Sequence, residues 1–125
     1  MSGTPKISIV EDDAPHRIAL VSLIRSCGYD AEGFETAEAF LASHAPEVCA
    51  CVVTDVNLPG MDGFSLRSRL AGRGITTPVI MITGRPTPDL EVRAMRSGAT
   101  AFLGKPLEHG RLVASVETAL AIRGQ

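Results

Sequence analysis

The fold is decided by the stretch from residue 49 to residue 63, which reads CACVVTDVNLPGMDG. Its first five residues are all apolar, and Thr54 and Asp55 follow them. A continuously apolar strand is typical of a parallel sheet that helices cover on both faces. Pro59 and Gly60 then predict a turn, and Gly63 predicts a flexible entry to a helix. The stretch therefore predicts a buried strand that presents Asp55 on a loop at its carboxyl end.

The same kind of segment recurs along the chain, with helical spacing of apolar residues between and after the segments. This alternation predicts five βα units and an open, doubly wound α/β fold. We expect the first helix to start at Asp13 and Pro15 and the second to start at Thr36. Helix ends are expected at Gly28 and Gly98. The predicted strands lie near Lys6–Glu11, Ala31–Phe34, Cys49–Asp55, Pro78–Thr83 and Ala101–Gly104.

Composition limits the class of protein. A chain of 125 residues, 45% hydrophobic with a formal charge of -2, predicts one domain over residues 1–125 with a substantial core. Three cysteines form no framework and are interpreted as reduced core residues. Without a basic run, an apolar span or a signal peptide, we expect a cytoplasmic protein that binds neither nucleic acid nor membrane directly.

Candidate functional residues collect at the predicted strand ends, where open parallel sheets bind ligands. Like charges brought together there favour a cation, and a hard, all-oxygen site suits Mg²⁺. The alternative is that Asp13 only caps the first helix while the other acids are solvated; for Asp13 both could hold. The strand-end residues are Glu11, Asp12, Asp13, Asp55, Thr83 and Lys105 with Pro106.

The residue types at these positions point to phosphoryl chemistry. A carboxylate such as Asp55 can form an aspartyl-phosphate when a metal and a fixed cation neutralise the phosphoryl oxygens. Lys105, one of two lysines among twelve basic residues, offers that cation, although a surface lysine is the plain alternative. Thr83 offers a hydroxyl group to an anion, with a helix cap as its alternative role. Phe102, considered without the other residues, is interpreted as a core residue. The isomer of the Lys105–Pro106 bond stays open.

This set, together with Leu58-Pro59-x-Met61-Asp62-Gly63 after Asp55, resembles the receiver domain of two-component response regulators, the CheY-like family. The spacings, 28 residues from Asp55 to Thr83 and 22 from Thr83 to Lys105, are similar to those of FixJ-type regulators of nitrogen fixation. The resemblance covers nearly the whole chain. It implies a flavodoxin-like five-stranded parallel sheet with strand order 2-1-3-4-5.

The resemblance also implies a role for each strand-end residue. Asp55 becomes the phosphoacceptor, and the ligands of Mg²⁺ become Asp12, Asp13, Asp55 and the main-chain carbonyl of Asn57. Glu11 becomes an outer member of the pocket. Lys105 contacts the phosphoryl group, while Thr83 and Phe102 act as the conformational switch.

The function implied is a phosphorylation-dependent switch of a two-component system, not an enzyme beyond slow self-catalysed phosphotransfer and dephosphorylation. A sensor histidine kinase would supply the phosphoryl group, and an output domain or downstream protein would receive the signal. A homodimer through the fourth helix, fifth strand and fifth helix is a further hypothesis, with a solvated mixed-charge face as its alternative. The charged residues of that face are Asp89, Glu91, Arg93, Arg96, Glu108 and Arg111.

Two other functions fit the same architecture. A phosphatase of the haloacid-dehalogenase type also uses an Asp nucleophile with Mg²⁺, but it needs a second Asp two positions on as general acid and base. Asn57 occupies that position and cannot carry protons as a carboxyl group does. A flavodoxin-like cofactor binder needs a Ser-, Thr- and Gly-rich first loop, whereas this chain has three contiguous acids there.

Overall fold

The structure is a computed structural model that describes residues 4–123 of the 125-residue chain. The ends of the domain expected over residues 1–125, residues 1–3 and 124–125, lie outside the described residues. The strands are β1 (Lys6–Val10), β2 (Asp30–Phe34), β3 (Cys51–Asp55), β4 (Val79–Thr83) and β5 (Ala101–Gly104). The helices are α1 (Ala14–Ser26), α2 (Ala37–Ala42), α3 (Ala45–Val48), α4 (Gly63–Gly72), α5 (Pro88–Arg96) and α6 (His109–Arg123).

The five strands form one parallel sheet in the order β2-β1-β3-β4-β5. This confirms the doubly wound α/β fold and the strand order. The order reverses at β1, which lies between β2 and β3. Ligands of such sheets bind beyond the carboxyl ends of the strands at this reversal, so the fold directs attention to the ends of β1 and β3.

Helices cover both faces of the sheet, which explains the continuous apolar run in β3. Val52 packs in a core beneath α2 to α5, whereas the adjacent Val53 packs in a second core beneath α1 and α6. Successive side chains of a strand point to opposite faces, so a strand buried on both sides carries apolar residues at successive positions. The buried strand predicted at the centre of the chain is thus the centre of the sheet.

Most helix ends lie where the sequence predicts them. Asp13 and Thr36 cap α1 and α2, each accepting the main-chain N–H three residues on at 3.0 Å. Gly28 and Gly98 follow the ends of α1 and α5 with φ of +93° and +100°. Glycine enters this left-handed region without the steric penalty of a Cβ atom, so it ends a helix readily.

Two details differ from the sequence-based expectation. Helix α3 was not predicted, because its four residues are too few to show helical periodicity. Cys49 and Cys51 are buried as expected, and burial raises the pKa of the Cys51 thiol to about 12. The assignment of Cys27 to the core is wrong, since Cys27 is exposed at the end of α1.

Among residues 4–123, no helix is long and apolar enough to cross a membrane. The longest, α6, has 15 residues, whereas a spanning helix needs about 20 apolar ones.

Candidate functional site

Four of the sequence-predicted site residues lie at one edge of the sheet. Glu11 follows β1, Asp55 ends β3, Thr83 ends β4 and Lys105 follows β5. All strand pairs are parallel, so these carboxyl ends meet at the same edge. The sheet thereby gathers residues that are up to 94 positions apart in the sequence.

Strand alternation sorts the same residues between the two faces. Glu11, Asp55 and Lys105 each come two positions after a residue of the core beneath α1 and α6. They therefore continue that face of the sheet. Thr83 comes two positions after a residue of the opposite core, against which Phe102 also packs. The charged residues and the predicted switch residues thus belong to opposite faces of one sheet.

Asp55 is held at both of its carboxylate oxygens. Oδ1 accepts the main-chain N–H of Asn57 at 2.9 Å, and Oδ2 accepts a hydrogen bond from Lys105 Nζ at 2.5 Å. Asp55 is only 4% exposed. A carboxylate buried to this degree requires charged or hydrogen-bonding partners, and these two contacts fix its direction.

Lys105 joins two carboxylates of the site. Its Nζ lies 2.5 Å from Asp55 Oδ2 and 2.9 Å from Glu11 Oε1. Burial acts to lower the pKa of Lys105, but the hydrogen bonds and charges of Asp55 and Glu11 outweigh burial and raise it. The ammonium group is thus a fixed positive charge next to Asp55. The Lys105–Pro106 bond, left open by the sequence, is cis.

Glu11 is fully buried, and three groups contact its side chain. Its Oε1 lies 2.6 Å from Nδ1 of His16 as well as near Lys105, and its Oε2 accepts the main-chain N–H of Asp13 at 3.2 Å. The contact between His16 and Glu11 was not predicted from the sequence. No metal-ligand spacing surrounds His16, so the sequence carried no signal for it.

Three carboxyl groups come within 4.8 Å of one another: Glu11, Asp12 and Asp55. Asp13, expected beside Asp12 and Asp55, lies outside this group, because its carboxylate instead caps α1. Asp12 is exposed and makes no hydrogen bond or ion pair within the described part of the chain. It is therefore the acid of the group that is freest to bind a ligand.

The donor set of this group fits Mg²⁺. Three carboxylates converge, and Lys105 balances part of their negative charge. Mg²⁺ prefers oxygen ligands and is usually held by one or two carboxylates together with water and phosphate oxygens. The exposed Asp12 beside the buried Asp55 meets that requirement.

The two predicted switch residues lie on the neighbouring strands β4 and β5. Thr83 is fully buried, and its Oγ1 accepts hydrogen bonds from Asn57 Nδ2 at 3.3 Å and from the main chain of Arg85 at 3.1 Å. Phe102 is partly buried against the core beneath α2 to α5. Thr83 is thus linked to Asp55 through Asn57, which bonds to both residues.

The loop after Asp55 is held close to the end of its own strand. A Cβ atom on Gly63 would lie 2.8 Å from the carbonyl oxygen of Asp55, so glycine is needed there for space. Gly60 has a φ of +75°, and the next residue, Met61, donates its main-chain N–H to Glu38 at 3.3 Å. The contact with Glu38, a residue of α2, was not predicted.

A groove of about 430 Å³ opens beside the site. Helix α1 lines one wall with His16 and Leu20. The other wall is formed by Lys105 and Pro106, which follow β5, and by His109 at the start of α6. Lys105 therefore reaches both the carboxylates and the groove.

The class of the protein follows from comparison of this chain with known families. Residues 7–117 match the family described as response regulator receiver domain. The chain belongs to this family, whose members are signalling domains of two-component systems. This match does not support the phosphatase alternative.

Individual relatives agree with the family. The chain is 40% identical over 113 residues to nodulation protein W of Bradyrhizobium diazoefficiens, covering 90% of this chain and 50% of the relative. It is 39% identical over 120 residues to the transcriptional regulatory protein FixJ of the same organism, covering 96% and 58%. The solved structure of FixJ-N has a TM-score of 0.86 at 34% identity, with 96% of each chain covered. The chain spans about half the length of the curated relatives it matches.

Proposed function

We propose that Asp55 accepts a phosphoryl group from a histidine of a sensor kinase, in the presence of Mg²⁺, and that the modified domain switches conformation. The observation that carries this proposal is the setting of Asp55. It is a buried carboxylate at a strand end, directed by Lys105 and the N–H of Asn57, and grouped with two further acids. The membership of the receiver family supports it.

In the transfer, a carboxylate oxygen of Asp55 forms a bond to phosphorus while the bond from phosphorus to the donor ring nitrogen breaks. The leaving imidazole takes up a proton from solvent. Lys105, already 2.5 Å from the carboxylate, is in reach of the phosphoryl oxygens. Mg²⁺ would be held by Asp12, Asp55 and the carbonyl of Asn57, with Glu11 outside them, and supplies positive charge beside the phosphoryl group. Asp13 keeps its role as the cap of α1.

The phosphoryl group is expected to stay on Asp55 long enough to serve as a signal. Hydrolysis needs a group that takes a proton from water, and Asn57, two residues after Asp55, cannot do so. Self-catalysed transfer and loss of phosphate are therefore slow, and the domain acts as a switch instead of turning over a substrate.

The switch would pass through Thr83 and Phe102. Phosphorylation takes a singly charged carboxylate to a group of about −1.5 to −2, with new acceptor oxygens. Thr83 then exchanges its hydrogen bond with Asn57 for one with the phosphoryl group. Phe102, on the same face of the sheet as Thr83, moves inward. Moving the population from 1:99 to 99:1 requires about 5.5 kcal/mol, which a few charge-assisted hydrogen bonds can supply.

An NMR experiment tests this switch. Amide spectra of the wild type, with Mg²⁺, are compared before and after addition of beryllofluoride, a phosphoryl mimic. We expect the amide signals of Thr83, Phe102 and α5 to shift in the wild type. A Thr83→Val variant should bind the mimic at Asp55 without the shifts in α5. Wild-type shifts confined to residues next to Asp55 would refute the switch.

The partners follow from the same chemistry. A kinase histidine must approach through open space next to Lys105, and the groove between α1 and the segment after β5 is such a space. A cytoplasmic sensor kinase domain and an output domain or downstream protein are the partners proposed. FixJ, a relative of which the chain covers 58%, is called a transcriptional regulatory protein, which favours a transcriptional output.

A second copy of the chain is a further proposed partner. The outer face of α5, which is the fourth of the helices predicted from the sequence, exposes Val92 (50%) and Met95 (47%). These apolar side chains lie between Glu91 and Arg96, which carry opposite charges. A two-fold contact can pair such a face with itself. Sedimentation equilibrium with and without beryllofluoride tests this: dimerisation is expected only with the mimic, and a monomer at high micromolar concentration in both conditions would refute it.

A further inference from the structure

Helix α1 folds back onto the loop that carries the acids. Arg17, on its first turn, donates Nη1 to the main-chain carbonyl oxygen of Glu11 at 2.8 Å. That carbonyl belongs to the planar peptide group joining Glu11 to Asp12. Holding the carbonyl fixes the orientation of the peptide plane, and this orientation helps to decide where the Asp12 side chain points.

The side chain of Arg17 reaches this carbonyl by crossing β2 at a glycine. A Cβ atom on Gly33 would lie 2.9 Å from Cγ of Arg17 and 3.1 Å from its Cδ. Gly33 is not among the glycines with positive φ in the described part of the chain, so its backbone does not demand glycine. What Gly33 provides is space. The stem of Arg17 comes nearest to it, and Cγ2 of Val21 would lie 3.2 Å from the same Cβ atom.

Asp12 depends on such support because it has none of its own. Its side chain is exposed and without a hydrogen bond or ion pair among residues 4–123. On its C-terminal side the chain is fixed by Asp13, which caps α1 and donates its N–H to Glu11. On its N-terminal side the carbonyl of Glu11 is fixed by Arg17.

We propose that Arg17 is a positioning residue for the cation site, directing Asp12 through the Glu11 carbonyl, and that Gly33 is required because it makes room for Arg17. The inference rests on the proposed function in so far as Asp12 binds Mg²⁺. Partners that orient metal ligands from outside typically contribute 10–100-fold to metal affinity. We expect the loss here to be about tenfold.

The test is a Mg²⁺ titration of the full chain followed by amide NMR, which gives the affinity and reports on the loop separately. Arg17→Met keeps the apolar stem and loses the donor, so it should weaken Mg²⁺ binding about tenfold. Arg17→Lys should restore part of the affinity. Gly33→Ala should weaken binding in the wild type but add nothing in the Arg17→Met background, because the two act through one contact.

Arg25→Met is the matched control. Arg25 also lies on α1 and donates its guanidinium to a main-chain carbonyl, that of Ala31 on β2, at 2.8 Å. Both methionine variants should lower the melting temperature to a similar degree, but only Arg17→Met should weaken Mg²⁺ binding. If Arg25→Met weakens it equally, Arg17 acts through general stability and the inference is wrong.

Two further outcomes separate this inference from the proposed function. Additive effects of Arg17→Met and Gly33→Ala, or unchanged affinity in Arg17→Met, overturn the positioning role while the metal site stands. The opposite result is also distinguishable. If the wild type binds no Mg²⁺, the metal site is overturned. If the amide signals of Asp12 and Asp13 nevertheless shift in metal-free Arg17→Met, and do not shift in Arg25→Met, the positioning of the loop by Arg17 is supported.

Discussion

Replacing Lys105 by methionine removes the cation that two buried carboxylates share. The side chains of Glu11 and Asp55 are 1% and 6% exposed, and that of Lys105 is 25% exposed. Breaking a buried ion pair by removing one partner costs about 3–5 kcal/mol, whereas an exposed pair contributes about 0–1 kcal/mol. The partial exposure of Lys105 places the expected loss in free energy of unfolding at roughly 2–3 kcal/mol.

Urea unfolding followed by circular dichroism, at neutral pH without divalent cations, measures this loss. Lys6→Met is the matched control, because Lys6, at the start of β1, has no ion pair in the described part of the chain. Its effect should stay within about 0.5 kcal/mol. If the two variants lose the same free energy of unfolding, the two carboxylates do not depend on Lys105 and the electrostatic account of the site is wrong.

The pH dependence gives a second check on the same variant. Burial acts to lower the pKa of Lys105, but Asp55 and Glu11 raise it above the ordinary value of 10.5. A raised folded pKa means that the stabilisation is fully present below the unfolded pKa and is lost as pH rises through the folded one. The difference between wild type and Lys105→Met should therefore persist from about pH 7 to 9 and shrink above about 10.5. A difference that disappears between pH 7 and 9 would contradict this.

Three further predictions concern local packing. Gly63→Ala should lower the free energy of unfolding by about 1–3 kcal/mol, because its Cβ would meet the main chain of β3 at 2.8 Å. Gly72→Ala, whose Cβ would have nothing within 4 Å, should leave that free energy unchanged or raise it. Equal effects of the two substitutions in urea unfolding would contradict this. Native protein should react at the exposed Cys27 and not at Cys51, whose pKa is about 12, so mass spectrometry after brief alkylation should show no label on Cys51. Ser8 has a buried hydroxyl without a hydrogen-bond partner in the described structure, so Ser8→Ala should leave stability unchanged or raise it by up to about 1 kcal/mol, and a loss above 1 kcal/mol would reveal a hidden partner.

The fold could be predicted because local signals and topology agree. The apolar runs of β3 and β4 indicate burial on both faces, and caps such as Asp13 and Thr36 mark helix starts. The failures are local. Helix α3 is too short for a periodic signal, and Cys27 follows a helix pattern yet falls at the helix end, where the chain turns to solvent.

The candidate site could be predicted in outline, because a parallel sheet must bring its strand ends together. Asp55, Thr83 and Lys105 were identified on that ground. The separate roles of the three contiguous acids were harder to predict. A shift of one position along the chain moves a side chain from the face of the sheet to the start of a helix. Counting alternation from the core residue Ile9 assigns Glu11 to the face of Asp55 and Lys105.

The contacts from α1 to the acidic loop lay beyond sequence reasoning. His16 and Arg17 reach Glu11 because the helix packs back over the end of β1. Such contacts depend on how a helix is placed on the sheet, and no residue spacing specifies that placement. The room that Gly33 leaves for Arg17 is of the same kind, because it joins β2 to α1.

The central claim, that Asp55 is the phosphoacceptor, is tested most directly by intact mass after incubation with acetyl phosphate. Wild type, Asp55→Asn and Asp62→Asn are compared with Mg²⁺ and with a chelator. Asp62 lies on the same loop and caps α4, so it serves as the control. The account predicts one added phosphoryl group on wild type and Asp62→Asn with Mg²⁺, and none on Asp55→Asn or after chelation. Equal labelling of Asp55→Asn and wild type would contradict it.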